Sequence, residues 1–393
     1  MSVAQKLLWR SGEACYSKTK PGSQRDEQRY ETFRPKGPAM SWCALADAQG
    51  HALSRAMARL APEALWPSGT LMLEARLSPH DRPKPLLALT LPGGAPFDLA
   101  LQAMPTGGIH FFLQQAGHHQ HAALSPTASD PSDILRISYA WNVAQGYAHL
   151  VVEMPGTPHI WRHVFPAANP IPQAALRSLM CPTSHRFVGD EVIFMALSDR
   201  VEPVGPLPTL CPRTPIMTPF GEKPAGALKR GDLVTTLAGD SVPVIHSLRH
   251  TLPARGSFQP VRLRAPYFGL THDIVVTPEA RLLVGGTQVE YLFGAENVLV
   301  PVKHLMSNAS AHPEAGHQLV TFVQLLLPDH EAIMVNGTAL ESLGIGRMRR
   351  KKDLLRHTLL GQFDPQSLPE HSKTTYAILK HFEAVTLAQH RAA

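Results

Sequence analysis

Cysteine, charge and long apolar runs are all scarce in this chain. The four cysteines among 393 residues, Cys15, Cys43, Cys181 and Cys211, lie far apart and form no C-x-x-C pair. That spacing argues against a structural zinc site, a redox dithiol and a disulfide-stapled scaffold. Charged residues make up 17%, below the usual quarter, beside an ordinary 44% of apolar residues, so the composition is not that of a disordered chain. No stretch approaches the roughly eighteen apolar residues of a membrane helix, and no membrane span is expected. The only apolar cluster near the N-terminus is Leu7, Leu8 and Trp9, far short of a signal-peptide core. The expected location is the cytoplasm, or outside the cell after export without a cleavable N-terminal signal. No G-x-S-x-G elbow, H-E-x-x-H pair or P-loop is present, which counts against an ordinary hydrolase or nucleotide enzyme. No cofactor and no metal are expected.

What is plentiful is proline, 36 residues, with 28 glycines and 21 histidines. Many prolines in a chain of modest charge favour short strands joined by stiff turns. The net charge is +6, a weak basic bias. The densest basic run, Arg347, Arg349, Arg350, Lys351 and Lys352, reads as a solvated lead-in to a helix. Aromatics do not interleave with it and no zinc-finger, RRM or KH signature accompanies it, so no nucleic-acid partner is expected.

The pattern divides the chain. Residues 1–38 are polar and aperiodic and read as a mobile arm. Over 40–200, short apolar runs spaced like strands are broken by Pro and Gly, at 71–77, 86–91, 97–101, 109–113, 134–141 and 147–153. In the first, Leu71, Leu73, Ala75 and Leu77 alternate with Met72, Glu74 and Arg76, as in a strand buried on one face. The five residues 142–146, ending in Gly146, signal a hairpin. Strands without intervening helices predict an antiparallel β-sandwich. Its pattern resembles lectin-like jelly rolls, a likeness that implies a glycan or protein ligand. His118, His119 and His121 read as part of a hairpin loop rather than a ligand set. Prolines 203, 206 and 208 mark 201–210 as a linker. Beyond it, 211–346 read as a second all-β domain of brief, sharply turned strands, and 347–393 as a C-terminal helical segment. There Tyr376, Leu379, Phe382 and Val385 predict one apolar stripe.

The second domain carries four blocks. They are Thr214 to Thr218 with Gly221 and Gly231-Asp232-Leu233; Asp273 to Leu283, containing Thr277-Pro278-Glu279-Ala280-Arg281; the pair 289–294 and 298–305; and 323–337 with His330 and Asn336-Gly337, ending in Glu341-Ser342. In this order they resemble the Hint family, the fold of hedgehog autoprocessing domains and inteins, and in particular its bacterial branch. The resemblance implies a Cys or Ser nucleophile that attacks the preceding carbonyl. It also implies a Thr-x-x-His motif whose histidine protonates the departing amide nitrogen.

This chain departs from that pattern at each chemical step. Five residues before Thr214, where the family places its nucleophile, stands Thr209; Cys211 follows two residues later, on the same strand face. Thr277 matches the motif threonine, but Ala280 replaces the histidine. Loss of a general acid costs a rate factor of about 10² to 10⁴. His272 precedes the same strand. Glu341-Ser342 stands where inteins carry His-Asn, and the chain continues beyond it, which excludes splicing by the standard route. Asn336-Gly337 reads as a hairpin turn. The candidate catalytic residues the resemblance leaves are Cys211, Thr277 and His330. Two readings follow. One is a degenerate module, a pseudoenzyme kept as a scaffold or binding domain. The other is an N–S acyl shift at Leu210-Cys211 that releases the sandwich without splicing. The first is preferred, because a fold never establishes an activity.

Overall fold

The computed structural model describes residues 7–9, 41–48, 50–77, 81–93, 96–105, 107–126, 133–307, 309–371 and 376–392. Of the arm expected over 1–38 only Leu7–Trp9 is described, as a short strand parallel to Gly50–Ser54; the rest lies outside the described residues. The apolar runs over 40–200 form a sandwich. One sheet has eight strands in the order Leu7–Trp9, Gly50–Ser54, Trp42–Asp47, Val192–Ser198, Ser68–Arg76, Ile134–Asn142, Tyr147–Glu153, Ile160–Phe165. The other has five: Arg186–Val188, Lys84–Leu91, Phe97–Ala103, Ile109–Gln115, His118–Leu124. Leu71, Leu73, Leu87, Leu99, Phe111, Ile137, Tyr139 and Leu150 fill the space between them.

Two expectations change here. His118, His119 and His121 do not sit in a loop. Ala116 and Gly117, at φ 49° and 78°, make the whole two-residue turn that a right-twisted hairpin prefers, so the histidines begin the next strand. The strand Ser68–Arg76 keeps its alternation but is buried on both faces. Leu71, Leu73 and Ala75 face the sandwich core. Met72 joins a second apolar cluster with Trp42, Leu45, Phe194 and Ala196, completed by Leu252, Phe258 and Phe322 of the C-terminal half. The second face is dry because the other half of the chain covers it.

That half is a set of short sheets around its own core, which holds Leu210, Ile216, Val234, Val276, Leu282, Val300, Leu325 and Ile333. Its largest sheet runs Gly221–Pro224, Pro215–Thr218, Ala332–Val335, Thr338–Glu341, Arg281–Gly285, Asn297–Pro301, Ala377–Ile378. The long pair His246–Pro253 and Leu319–Leu326 carries the face that meets the sandwich. Val204 is buried, and the Gly205 N–H donates to Glu153 Oε1 at 2.7 Å. The segment 201–210 is therefore packed rather than loose, since its backbone is spent on both halves.

The C-terminal expectations need correction too. Over 347–361 only Lys352–Leu355 is α-helical, flanked by 3₁₀ turns. The last helix is His381–Ala392, preceded by the strand Ala377–Ile378 alongside Asn297–Pro301. The apolar stripe is not realised: Phe382 stays exposed, while Leu379, Ala384 and Leu387 enter the core. Tyr376 and Leu379 precede the helix, so a three-residue count through them carries no facial meaning. Among the described residues no helix is long and apolar enough to cross a membrane.

The segment 347–371 also closes over a histidine. His149 is fully buried on the sheet face opposite the sandwich core, and neither ring nitrogen has a hydrogen-bond partner. The ring of His357 meets it edge-on at 4.8 Å, with Tyr147 beside both. Arg162 and Arg356 are the facing cations and Asp353 the facing anion. Burial, then the neighbouring His357 and Arg162, depress His149 to about 3. Burial, Arg162 and Arg356 depress His357 to about 4. The unfolded chain takes up these protons below pH ~6.5, where the folded chain does not, so stability is full above that pH and falls as pH drops towards 3. We expect His149 to account for a loss of up to about 3 kcal/mol at pH 4.5. Urea unfolding at pH 7.5 and 4.5 checks this, and His149→Phe should lose less on acidification than the unsubstituted chain.

Candidate functional site

The junction of the two halves is an extended segment, Thr209 to Cys211, threaded between two strands. Leu210 bridges Val276 on one side and Val323 on the other. Its N–H donates to Val323 O at 3.1 Å and its carbonyl accepts from Val323 N at 2.7 Å. Flanking it, Thr277 N donates to Thr209 O at 2.9 Å and Cys211 N to Val275 O at 3.0 Å. Leu210 is completely buried in the C-terminal core. Thr209 and Leu210, which the sequence assigns to the linker, are thus already built into the second domain.

Thr209 is the residue beside Thr277. Its backbone N–H and its Oγ1 both donate to Gln324 Oε1, at 3.2 and 2.8 Å. Gln324 in turn donates from Nε2 to Glu341 O at 3.0 Å. The amide is only 3% exposed, and it spends both ends on positioning backbone and a hydroxyl. A carboxamide is not basic, so it cannot take the Thr209 proton.

Cys211 stands elsewhere. Its carbonyl accepts from Thr214 N at 2.9 Å, and its thiol lies among Arg213, Glu314 and Arg262. Burial pushes that thiol up, the Arg213 backbone N–H pulls against it, and the Glu314 charge adds to the rise. A thiol raised in this way is a poor nucleophile at neutral pH. Among the described residues no hydrogen bond joins it to Thr277 or to a histidine. Thr277 Oγ1 and Thr214 Oγ1 are buried without partners. Ala280 is buried in the apolar core, its N–H held by Thr277 O and its carbonyl by Val302 N.

The remaining candidates turn away from the junction. His330 Nε2 lies 3.1 Å from Glu341 Oε1, and its ring stacks on His371 at 5.7 Å. Glu341 also receives Arg281 Nη1, at 2.8 Å. His272 is exposed beside Thr271 and the Asn336 side chain. Asn336 and Gly337 are the hairpin turn between Ala332–Val335 and Thr338–Glu341, at φ 46° and 86°. Asn336 Oδ1 meets Thr271 and its Nδ2 donates to the His272 carbonyl, so the amide is held rather than poised to cyclise. Ser342 Oγ accepts from Glu331 N at 3.0 Å.

The arrangement brings Thr277 to Thr209 and leaves Cys211 and His330 apart from them. Sequence reasoning missed Gln324, Glu279 and Arg281. A lone amide inside Thr321-Phe-Val-Gln-Leu-Leu-Leu327 was the available signal, since a buried polar side chain in an apolar strand must have partners.

Residues 208–347 match the family model described as the Hint domain. No curated protein matches the chain. The crystal structure of the MchDnaB-1 intein aligns at 17% identity, over 34% of this chain and 98% of the intein chain, with a TM-score of 0.22. The binding domain of Botulinum Neurotoxin DC in complex with SialylT aligns at 6% identity, over 71% of this chain and 79% of that one, with a TM-score of 0.24. Likenesses this weak carry nothing further.

Gln324→Ala removes the acceptor of two Thr209 donors and the donor to Glu341 O. Stranding buried groups costs about 1–3 kcal/mol, so we expect a loss near 2 kcal/mol, read from the urea midpoint. Thr209→Ser, which keeps the hydroxyl, should change that midpoint little.

Proposed function

From the premise that residues 208–347 are a Hint domain, we propose that this domain is a degenerate hedgehog/intein-type module, retained as a scaffold and binding unit without self-cleavage. The observation that carries the reading is the make-up of the junction. The residue beside Thr277 is Thr209, whose hydroxyl is engaged by an amide, and the motif histidine is the buried Ala280. Among the described residues neither a base for the nucleophile nor an acid for the leaving amide is at hand, and losing such a group slows acyl transfer by a factor of about 10² to 10⁴.

The alternative reading is an N–S acyl shift at Leu210-Cys211. In its favour, the Cys211 N–H is anchored to Val275 in the strand Ile274–Val276, just before Thr277, with Arg213 and Arg262 near the thiol. The two readings differ in one measurement. Intact mass of the full-length protein is followed with and without dithiothreitol or hydroxylamine, beside Cys211→Ala. We expect one full-length mass under every condition. Fragments ending at Leu210 that require Cys211 would establish the acyl shift instead.

The ligand of the sandwich is proposed to be a glycan or a protein, held on the outer face of the five-stranded sheet, which the Hint half leaves uncovered. Cross-strand register sets Phe187, Ala88, Ala100, Phe112 and His121 in one row there. Gln102, His110 and Gln114 flank it on the same face. Aromatic rings over a floor of small residues, beside amides and imidazoles, suit a flat, hydroxyl-bearing ligand. Phe112→Ala should abolish whatever glycan-array signal the intact chain gives, and a signal unaffected by that change would remove this face from consideration.

A further inference from the structure

We propose that the Hint half is the non-covalent partner of the sandwich, docked so that the two halves stay together when the backbone between them is cut. The inference goes beyond the fate of the junction chemistry, because the association rests on contacts away from the scissile residues.

Two docking points carry it, one from each side. At the first, a turn of the Hint half enters the outer face of the eight-stranded sheet. Glu74 of the sandwich has no solvent exposure. It accepts from Arg136 Nε at 2.9 Å, from the Ser257 backbone N–H at 2.7 Å and from Ser257 Oγ. Arg136 reaches Ser257 Oγ as well, lies 4.0 Å from Glu153, and covers the Phe258 ring at 4.0 Å. The sandwich thus holds a buried carboxylate and guanidinium that its own residues satisfy in part, with Glu153 4.0 Å from Arg136, and the Hint turn supplies the remaining hydrogen bonds among the described residues, from the Ser257 N–H and hydroxyl. Gly256, at φ 54°, is where a Cβ would strike Glu74 and the Phe194 ring. Exposed without Ser257 and Phe258, the pair would lose its partners from the Hint half and the dry surroundings that strengthen it.

At the second, a turn of the sandwich enters the Hint half at the motif that has lost its histidine. Gly156, at φ 78°, sits where a Cβ would strike the Glu279 carboxylate, and its carbonyl accepts from Arg281 Nη2. Glu279 is held by Lys303 at 3.2 Å, and burial raises its carboxyl. The two residues flanking Ala280 are therefore turned to the sandwich, and the loop that carries the general acid in the family is here a receptor for a glycine turn. Between the two points lies the shared apolar cluster of Trp42, Met72, Phe194, Leu252, Phe258 and Phe322. Trp42 Nε1 donates across it to Thr251 O at 2.9 Å, and Arg255 meets Asp47 at 2.6 Å. A dry aromatic centre with paired charges around it is the make-up of a durable interface.

The test uses the full chain with a protease recognition sequence inserted between Asp199 and Arg200, both exposed, and cut after folding. We expect the halves to co-elute at the volume of the uncut protein in 0.15 M salt and to part only in denaturant. Gly156→Asp, which sets a second carboxylate against Glu279, should raise the dissociation constant of the cut halves at least tenfold. Gly146→Asp is its control: Gly146 has a similar φ of 69° with nothing within 4 Å of its Cβ position, so it carries the same backbone strain without the contact. Circular dichroism of each uncut variant verifies folding. Separation of the unsubstituted halves on cutting overturns the proposal. So does a Gly156→Asp complex as tight as that of Gly146→Asp.

Discussion

A carboxylate and a guanidinium shut away from water, Glu74 and Arg136, set the terms for the rest of this molecule. Each would cost several kcal/mol to bury alone. Together they still need donors and acceptors beyond those of the sandwich sheet, where Glu153 stands 4.0 Å from Arg136. Ser257 provides them, from a turn in the other half of the chain. The Hint half, seated on that sheet face, completes the hydrogen bonding of the pair. The apolar residues around the pair are dry for the same reason.

The site inherits this constraint. A Hint domain that cleaves must let the peptide before its nucleophile strain and depart. Here that peptide lies in an extended segment bonded on both sides, Thr209 tied to Gln324 and Thr277, and Leu210 tied to Val323. Each bond is modest, about 1 kcal/mol net, but together they favour the closed junction. Ala280 suits such a domain: a small apolar residue completes the core where an imidazole would need room and partners. Glu279 and Arg281, on either side of it, serve the contact with Gly156.

Some of the sequence expectations failed for one recurring reason. Alternation in Ser68–Arg76 was legible, and so were the hairpins and the Hint blocks, because period-two patterns and turn residues act locally. The second burial of that strand was not legible, since Met72 and Glu74 read as ordinary solvent-facing residues until their partners, about 180 residues away, are in place. The histidine strand was misread because the turn Ala116-Gly117 is only two residues long. The C-terminal stripe was misread because spacing was counted through Tyr376 and Leu379, which precede the helix. At the site, the replacement of the motif histidine by Ala280 was plain, while the role of Gln324 depended on a contact across 115 residues.

By itself the amino-acid order determined two β-rich units, their turns, the Hint pattern and the missing acid, all of them consequences of neighbours within a few residues. Only the tertiary structure decided which residue stands at the junction beside Thr277, why Cys211 is not that residue, and that the two units share one dry interface. These depend on which side chains meet across long separations, where burial, not spacing, determines the state of a charge, a thiol or an amide.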